Sequence, residues 1–191
     1  MDKLKESILK NMRAKIMQLK ESRAVMARLR RGVGKDMGEL PDLLGFVLPD
    51  ETISDYGDTE RKIEKAMYTA ITLYAMHQQG IDSCVSSGLQ DGDDAVSNSN
   101  SFGHMIRKLV LRKPGDAEAV QRRFNKVLSA KDMTELSVHA RSLIKLCKRE
   151  KLTLDYPGFA FDLYRVQTEE SRRNVLLSWG RDYYMESRKE D

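Results

Sequence analysis

Apolar residues recur at helical spacing along almost the whole chain. Leu4, Ile8, Met12, Ile16 and Leu19 advance by four, four, four and three positions, the signature of one buried stripe on an amphipathic helix. Ser22 then either caps a new segment or lies within a helix that runs on through Met26 and Leu29. Gly32 and Gly34 end that stretch. Pro41 suits the first turn of a short helix reaching Val47, and Pro49 stops it. Asp58 or Thr59 caps a second long helix, with Ile63, Met67, Ile71 and Tyr74 on its buried face and Gly80 closing it.

The pattern breaks between residues 81 and 100, where Ser, Asp, Asn and Gly surround isolated apolar residues without a period. This stretch reads as a mobile loop. Helical spacing resumes with Ser101 as cap and Phe102, Met105, Ile106, Leu109 and Val110 as core face. Asp116 caps a stripe of Val120, Phe124, Val127 and Leu128 after the Pro114-Gly115 turn. Asp132 with Glu135 resembles a capping box ahead of Leu136, Ala140, Leu143 and Cys147. Asp155 before Pro157 opens a short helix through Phe159 and Leu163. Thr168-Glu169-Glu170 opens the last, with Val175, Leu176, Trp179 and Tyr183 inward. Only Leu152–Tyr156 has a faint strand look, too short for a sheet. The fold class is all-α, a compact multi-helix bundle formed either as one domain or as two small lobes sharing a core.

At 191 residues such a chain buries roughly 70% of its unfolded surface and needs no metal or disulfide staple. Cys84 and Cys147 stand in unlike contexts, the first in a polar loop and the second on an apolar face. With no signal peptide and no long apolar run, the expected compartment is a reducing cytoplasm, without a membrane partner.

Net charge is +4, but its distribution is uneven. Residues 1–35 hold eleven basic and three acidic groups, a net of +8; residues 36–60 hold eight acidic and no basic groups. Residues 121–151 return to +6, with nine basic against three acidic. Basic doublets punctuate the chain at Arg30-Arg31, Arg107-Lys108, Arg122-Arg123 and Arg172-Arg173, none with an acidic neighbour in sequence. A folded domain needs no such pairs for stability, whereas a protein lying along a polyphosphate does, since each cation near a phosphate releases counterions. Any one doublet is equally a solvated helix face. Four of them, with few catalytic candidates elsewhere, favour nucleic acid as partner.

Catalytic chemistry has little to build on. His77, His104 and His139 pair at no metal-ligand spacing, and no HExxH or CxxC occurs, so neither metal nor cofactor is expected. Gly32-Val33-Gly34-Lys35 imitates a phosphate loop but follows a helix, and reads as a flexible terminus presenting Lys35. Ser101 near His104 could be a nucleophile and base, although a serine at a helix start is far more often a cap. Asp91, Asp93 and Asp94 could chelate magnesium in a divergent nuclease, against the default of solvated loop charge. Asp155 and Asp162 suit capping and surface placement better than a shared metal. Tyr156, Tyr164, Trp179, Tyr183 and Tyr184 could stack bases, but Trp179 and Tyr183 share a face with Val175 and Leu176 and fit the core better.

Several strings form a familiar set in this order. They are Ala24–Val33 (AVMARLRRGV) followed by Pro41, then Ala75-Met76-His77-Gln78 and Ser101-Phe102-Gly103. Arg122-Arg123-Phe124 with Leu128-Ser129-Ala130, Leu152–Asp162 (LTLDYPGFAFD) and Trp179-Gly180-Arg181-Asp182-Tyr183 complete it. Together they resemble the CasB family, the small subunit of the type I-E CRISPR surveillance complex called Cascade. The resemblance implies a non-enzymatic helical domain over 22–186, with residues 1–21 an N-terminal helical extension and 187–191 a tail. It implies contact with the backbone and large subunits, crRNA, the target DNA including its displaced single strand, and a second copy of the same chain. Carried to this sequence, its basic contacts fall on Arg30, Arg31, Arg107, Lys108, Arg122, Arg123, Arg141 and Lys145, and less directly on Arg172 and Arg173. Neither the first 21 residues nor the long acidic 81–100 loop has a family role. The competing readings are a helical scaffold that binds only proteins and the divergent nuclease.

Overall fold

Ser22 separates the first two helices: its hydroxyl accepts from the Val25 amide at 3.4 Å, so α1 (Asp2–Lys20) and α2 (Arg23–Leu29) are distinct. The computed structural model describes residues 2–20, 22–49, 57–89 and 100–184. Ile8, Met12, Ile16 and Leu19 are buried as their spacing predicts, and they join the same apolar core as the rest of the chain. A 3-10 turn, Arg30–Gly32, finishes α2, and Gly34 reverses the chain at φ +80°. Pro41 opens a 3-10 turn, Pro41–Leu43, that runs into α3 (Leu44–Val47).

The long helix α4 (Asp58–Gln78) departs from its one-sided pattern: every residue from Ala66 to His77 is buried. It is the axis of the molecule, with α1, α2, α3, α7 and α8 packed around it. Thr69 and Thr72 survive there because their hydroxyls donate to the carbonyls of Lys65 and Thr69, at 2.8 and 3.0 Å. Asp58 is not its cap. Gly57 holds the cap position, and Asp58 sits in the first turn, pairing with Lys62 at 2.5 Å.

Residues 81–89 are fixed by particular contacts. The Gln78 side chain donates to the carbonyls of Ile81 and Ser83 and accepts from the Val85 amide. Val85 is buried, and β1 (Ser86–Ser87) pairs in parallel with β2 (Leu154–Asp155), so the faint strand at Leu152–Tyr156 does find a partner. The rest of that stretch, residues 90–99, lies outside the described residues.

The C-terminal half follows α5 (Phe102–Arg112), α6 (Ala117–Ser129), α7 (Met133–Arg149), α8 (Tyr156–Arg165) and α9 (Glu169–Tyr184). Ser101, Asp132 and Asp155 cap α5, α7 and α8 through bonds from the amides of His104, Glu135 and Gly158. Asp116 makes no such bond and belongs to a 3-10 turn, Pro114–Asp116. Glu135 reaches the Lys131 amide rather than that of Asp132, one residue off a true capping box. Tyr156 and Trp179 are core, Tyr164 and Tyr183 are half-buried against it and Tyr184 is exposed; Phe102 stacks on Phe159 at 5.2 Å and meets Trp179 at 5.1 Å. Among the described residues no helix is long and apolar enough to cross a membrane.

Candidate nucleic-acid interface

Residues adjacent in sequence point about 100° apart on a helix, so a doublet offers two directions and its partners lie three or four positions away. The structure resolves the doublets on that basis. Arg172 donates to the carbonyls of Val166 and Ala130, tying α9 to the ends of α8 and α6. Arg107 donates to the Tyr183 carbonyl at 3.3 Å. Lys108 reaches Asn100 at 2.8 Å, and partial burial and the neighbouring Arg112 lower its pKa. Arg122 pairs with Glu118 and Arg173 with Glu169, each one helical turn apart, so the absence of an adjacent acid in sequence did not mean an absence of acids. Arg123 is exposed, and among the described residues its side chain hydrogen-bonds only the Ala119 carbonyl of its own helix. Arg31 stands 3.7 Å from Asp42, whose closer partner is Arg28 at 2.7 Å; the Arg28 hydrogen bond holds the Asp42 carboxyl below its usual range.

Arg30, Lys35 and Lys145 are different. Among the described residues their side chains have no acidic or hydrogen-bonding partner. Arg141 is half-buried, with its Nε unpartnered. Arg141, Lys145 and Lys148 recur at the spacing of one α7 face. Lys148 lies within reach of the Arg30 charge: burial first, then repulsion from Arg30 and Lys145, lowers its pKa. Lys148 also donates to the Met76 carbonyl at 3.1 Å, near the end of α4.

Beside this group opens a cleft of about 570 Å³, lined by Lys20, Arg23, Met26 and Arg30 on one wall and by Gln78–Asp82 on the other. Lys20, Arg23 and Lys148 are thus part of a basic region that the doublets alone did not reveal. A signal was present: Arg23 and Arg30 are seven apart, two turns along one face of α2. Lys35 lies apart from this cleft, against Met37, Lys65 and Tyr68.

A second cleft, of about 350 Å³, gathers Asp155, Asp162 and Asp182 with Lys5, Arg13 and Arg165. Asp155 caps a helix as its spacing suggested, but neither it nor Asp162 is placed at the surface. Asp155 is buried as the α8 cap, and Asp162 accepts from Trp179 Nε1 at 2.8 Å, with burial pushing its carboxyl up to about 6. Ser101 accepts from the His104 amide and donates to Asp182. His104 Nδ1 faces both Ser101, at 3.1 Å, and Asp182, at 3.6 Å. A catalytic triad needs serine and carboxylate on opposite ring nitrogens, so this group works as a helix latch. Among the described residues no three His, Cys, Asp or Glu side chains are grouped to hold a metal ion. Asp91, Asp93 and Asp94 lie outside the described residues.

The sequence profile described as CRISPR-associated protein Cse2 matches residues 25–184. The fold is similar to crystal structures of three CasB proteins. That from Thermobifida fusca has a TM-score of 0.73 and 27% identity over 96% of this chain and 98% of its own. The M. ruber protein gives 0.64 and 23% over 91% and 92%, and the Thermus thermophilus protein 0.67 and 21% over 92% and 97%. A search of curated protein sequences gives no match.

Proposed function

The chain belongs to the Cse2 family of CRISPR-associated proteins, and from that premise we propose that it is a non-catalytic subunit of the type I-E Cascade complex. In this reading it holds nucleic acid by sequence-independent contacts and steadies the R-loop formed when guide RNA pairs with target DNA. The single observation that carries the reading is the basic surface of Arg30, Lys145 and Lys148, without acidic partners among the described residues, beside Lys20 and Arg23. Cations without acidic partners repel one another in the folded chain, a cost that a polyanion removes. Exchange of one duplex for another is nearly balanced, so a few phosphate contacts to a freed strand can tip it.

The proposed contacts divide by what each side chain already does. Arg30, Lys145, Arg141, Arg31 and Lys35 have least to give up, and Arg122, Arg123 and Arg173 need leave only an exposed contact within their own helix. Arg107 and Arg172 serve the fold first, and Lys108 is engaged with Asn100. The acidic edge of Asp36, Glu39 and Asp42, whose charges help raise the Tyr68 pKa, favours a basic neighbouring subunit at that side. The partners of this reading are the Cascade backbone and large subunits, crRNA, target DNA and a second copy of the chain.

The test is binding of a labelled single strand against salt concentration, by the purified chain and by the assembled complex. Substituting Arg30 and Lys145 by Ala should weaken binding and flatten the log-log slope by about 0.7 for each lost contact to a single strand. Loss of assembly with unchanged DNA affinity in the remaining complex would favour the protein-only scaffold.

A further inference from the structure

We propose that the cleft between α2 and the end of α4 seats one unstacked nucleotide of a single strand. Its phosphate meets the Arg23–Arg30 rim, and its base lies against Met26 and Ile81. The proposal rests on the nucleic-acid reading above and names the part of the ligand that this surface takes.

A surface that binds phosphate alone needs no cavity. Exposed Arg122 and Arg123 on α6 illustrate that arrangement. The α2–α4 cleft is built differently. Its volume of about 570 Å³ falls in the roughly 300–1,000 Å³ range of pockets that take a small organic molecule. Three cations line it, Lys20, Arg23 and Arg30, none with an acidic or hydrogen-bonding side-chain partner among the described residues. Among the described residues, Asp82 is the one carboxylate on the lining. Between these charges lie Met26, almost fully buried, and Ile81, packed on the core. Such a floor offers flat apolar contact, and a methionine thioether packs well on an aromatic ring.

The two glutamines at the end of α4 divide their work. Gln78 is fully engaged with Ile81, Ser83 and Val85, which holds the far wall in place. Gln79 is exposed and has no side-chain partner among the described residues. Its amide, both donor and acceptor, can meet the edge of any base, which suits a sequence-tolerant site. A free mononucleotide would satisfy the cleft but leave Lys145 and Lys148 unused. The basic face continues toward them beyond Arg30, so a strand fits the charge better.

The experiment compares a thymidine oligonucleotide with an abasic one of equal length and charge, bound to the full-length chain. Abasic DNA should bind about tenfold more weakly, the expected loss of one stacked base. Ile81→Ala and Gln79→Ala should each narrow that gap while the salt slope of the thymidine strand stays unchanged, because neither touches phosphate. The Gln79 side chain is exposed and has no hydrogen-bonding partner among the described residues, so its variant keeps the test sound if Ile81→Ala destabilises the chain. Millimolar thymidine monophosphate should displace the strand better than inorganic phosphate does, because it brings a base to the same cleft. Equal affinity for the two strands, or displacement by thymidine monophosphate no better than by inorganic phosphate, would overturn the proposal while leaving the basic surface in place. Absence of salt-dependent binding to either strand would overturn the nucleic-acid reading itself.

Discussion

Tyr68, in the middle of α4, donates its hydroxyl to the carbonyl of Gly32 at 3.2 Å and so fixes the turn that carries Arg30 and Arg31. The bond needs glycine at 32. A Cβ there would stand 2.6 Å from the Tyr68 hydroxyl and 2.9 Å from Thr72 Cγ2. The direction of the Arg30 side chain is therefore set by a contact between segments 36 positions apart.

Gly32→Ala should destabilise the fold by roughly 1–3 kcal/mol, the usual range for overpacking a filled site. Thermal or urea unfolding measures it. A Gly32→Ala protein as stable as the parent would show that the turn can move off α4.

Arg172 and Arg30 should separate cleanly. Arg172→Met leaves the carbonyls of Val166 and Ala130 without that donor and should cost about 1–3 kcal/mol of stability, with little change in the salt slope of DNA binding. Arg30→Ala should do the reverse, lowering the slope with the midpoint of unfolding nearly unchanged. The reverse assignment in a paired melt and salt titration would refute this division.

Asp162 should govern stability in mild acid. Its folded pKa is about 6, raised by burial from 3.8. A raised pKa contributes stability that is fully present below 3.8 and is lost as pH rises through about 6. Asp162→Asn keeps an acceptor for Trp179 and removes the buried charge. It should stabilise the protein at pH 7 by about 1–2 kcal/mol and flatten the pH dependence between 3.8 and 6. A net loss of stability at pH 7 would mean that the Trp179 bond needs the full charge.

His77 acts in the opposite sense. It is fully buried against the Tyr156 hydroxyl at 3.1 Å, and burial first, then Lys148, lowers its pKa from 6.5 to about 4. The neutral imidazole therefore contributes stability that is present above 6.5 and is lost as pH falls toward 4. An NMR titration should find His77 neutral at pH 5.5. Lys148→Met should move its midpoint up without restoring 6.5, because desolvation is the larger cause. A midpoint near 6.5 in the parent would contradict the buried site.

The elements that read correctly were those decided within a few residues. Ile8, Met12 and Ile16 are buried because a one-sided stripe needs only one apolar neighbour. Ser101, Asp132 and Asp155 cap their helices because an N-cap bond spans three positions. Asp58 failed as a cap because Gly57 could take that place without a side chain. Residues 81–89 read as loop because their order comes from Gln78, Arg13 and Leu154, none of which leaves a period in the stretch itself.

The candidate site divides along the same line. Four doublets and their excess of charge were visible in the chain, but what each member is engaged with was not. Arg172 is held by Ala130, 42 positions away, and Arg107 by Tyr183, 76 away. Lys20, Arg23 and Lys148 became part of the site only when α1, α2, α4 and α7 came together. By itself the sequence determined an all-helical chain, its caps, its blocks of charge and its kinship, because periodicity, capping and composition are properties of neighbouring residues. The tertiary structure alone decided that α4 is buried all round from Ala66 to His77, that Asp162 holds Trp179, and that Arg30 and Lys145 share one surface. Those outcomes depend on desolvation and on partners distant in the chain, which no local pattern encodes.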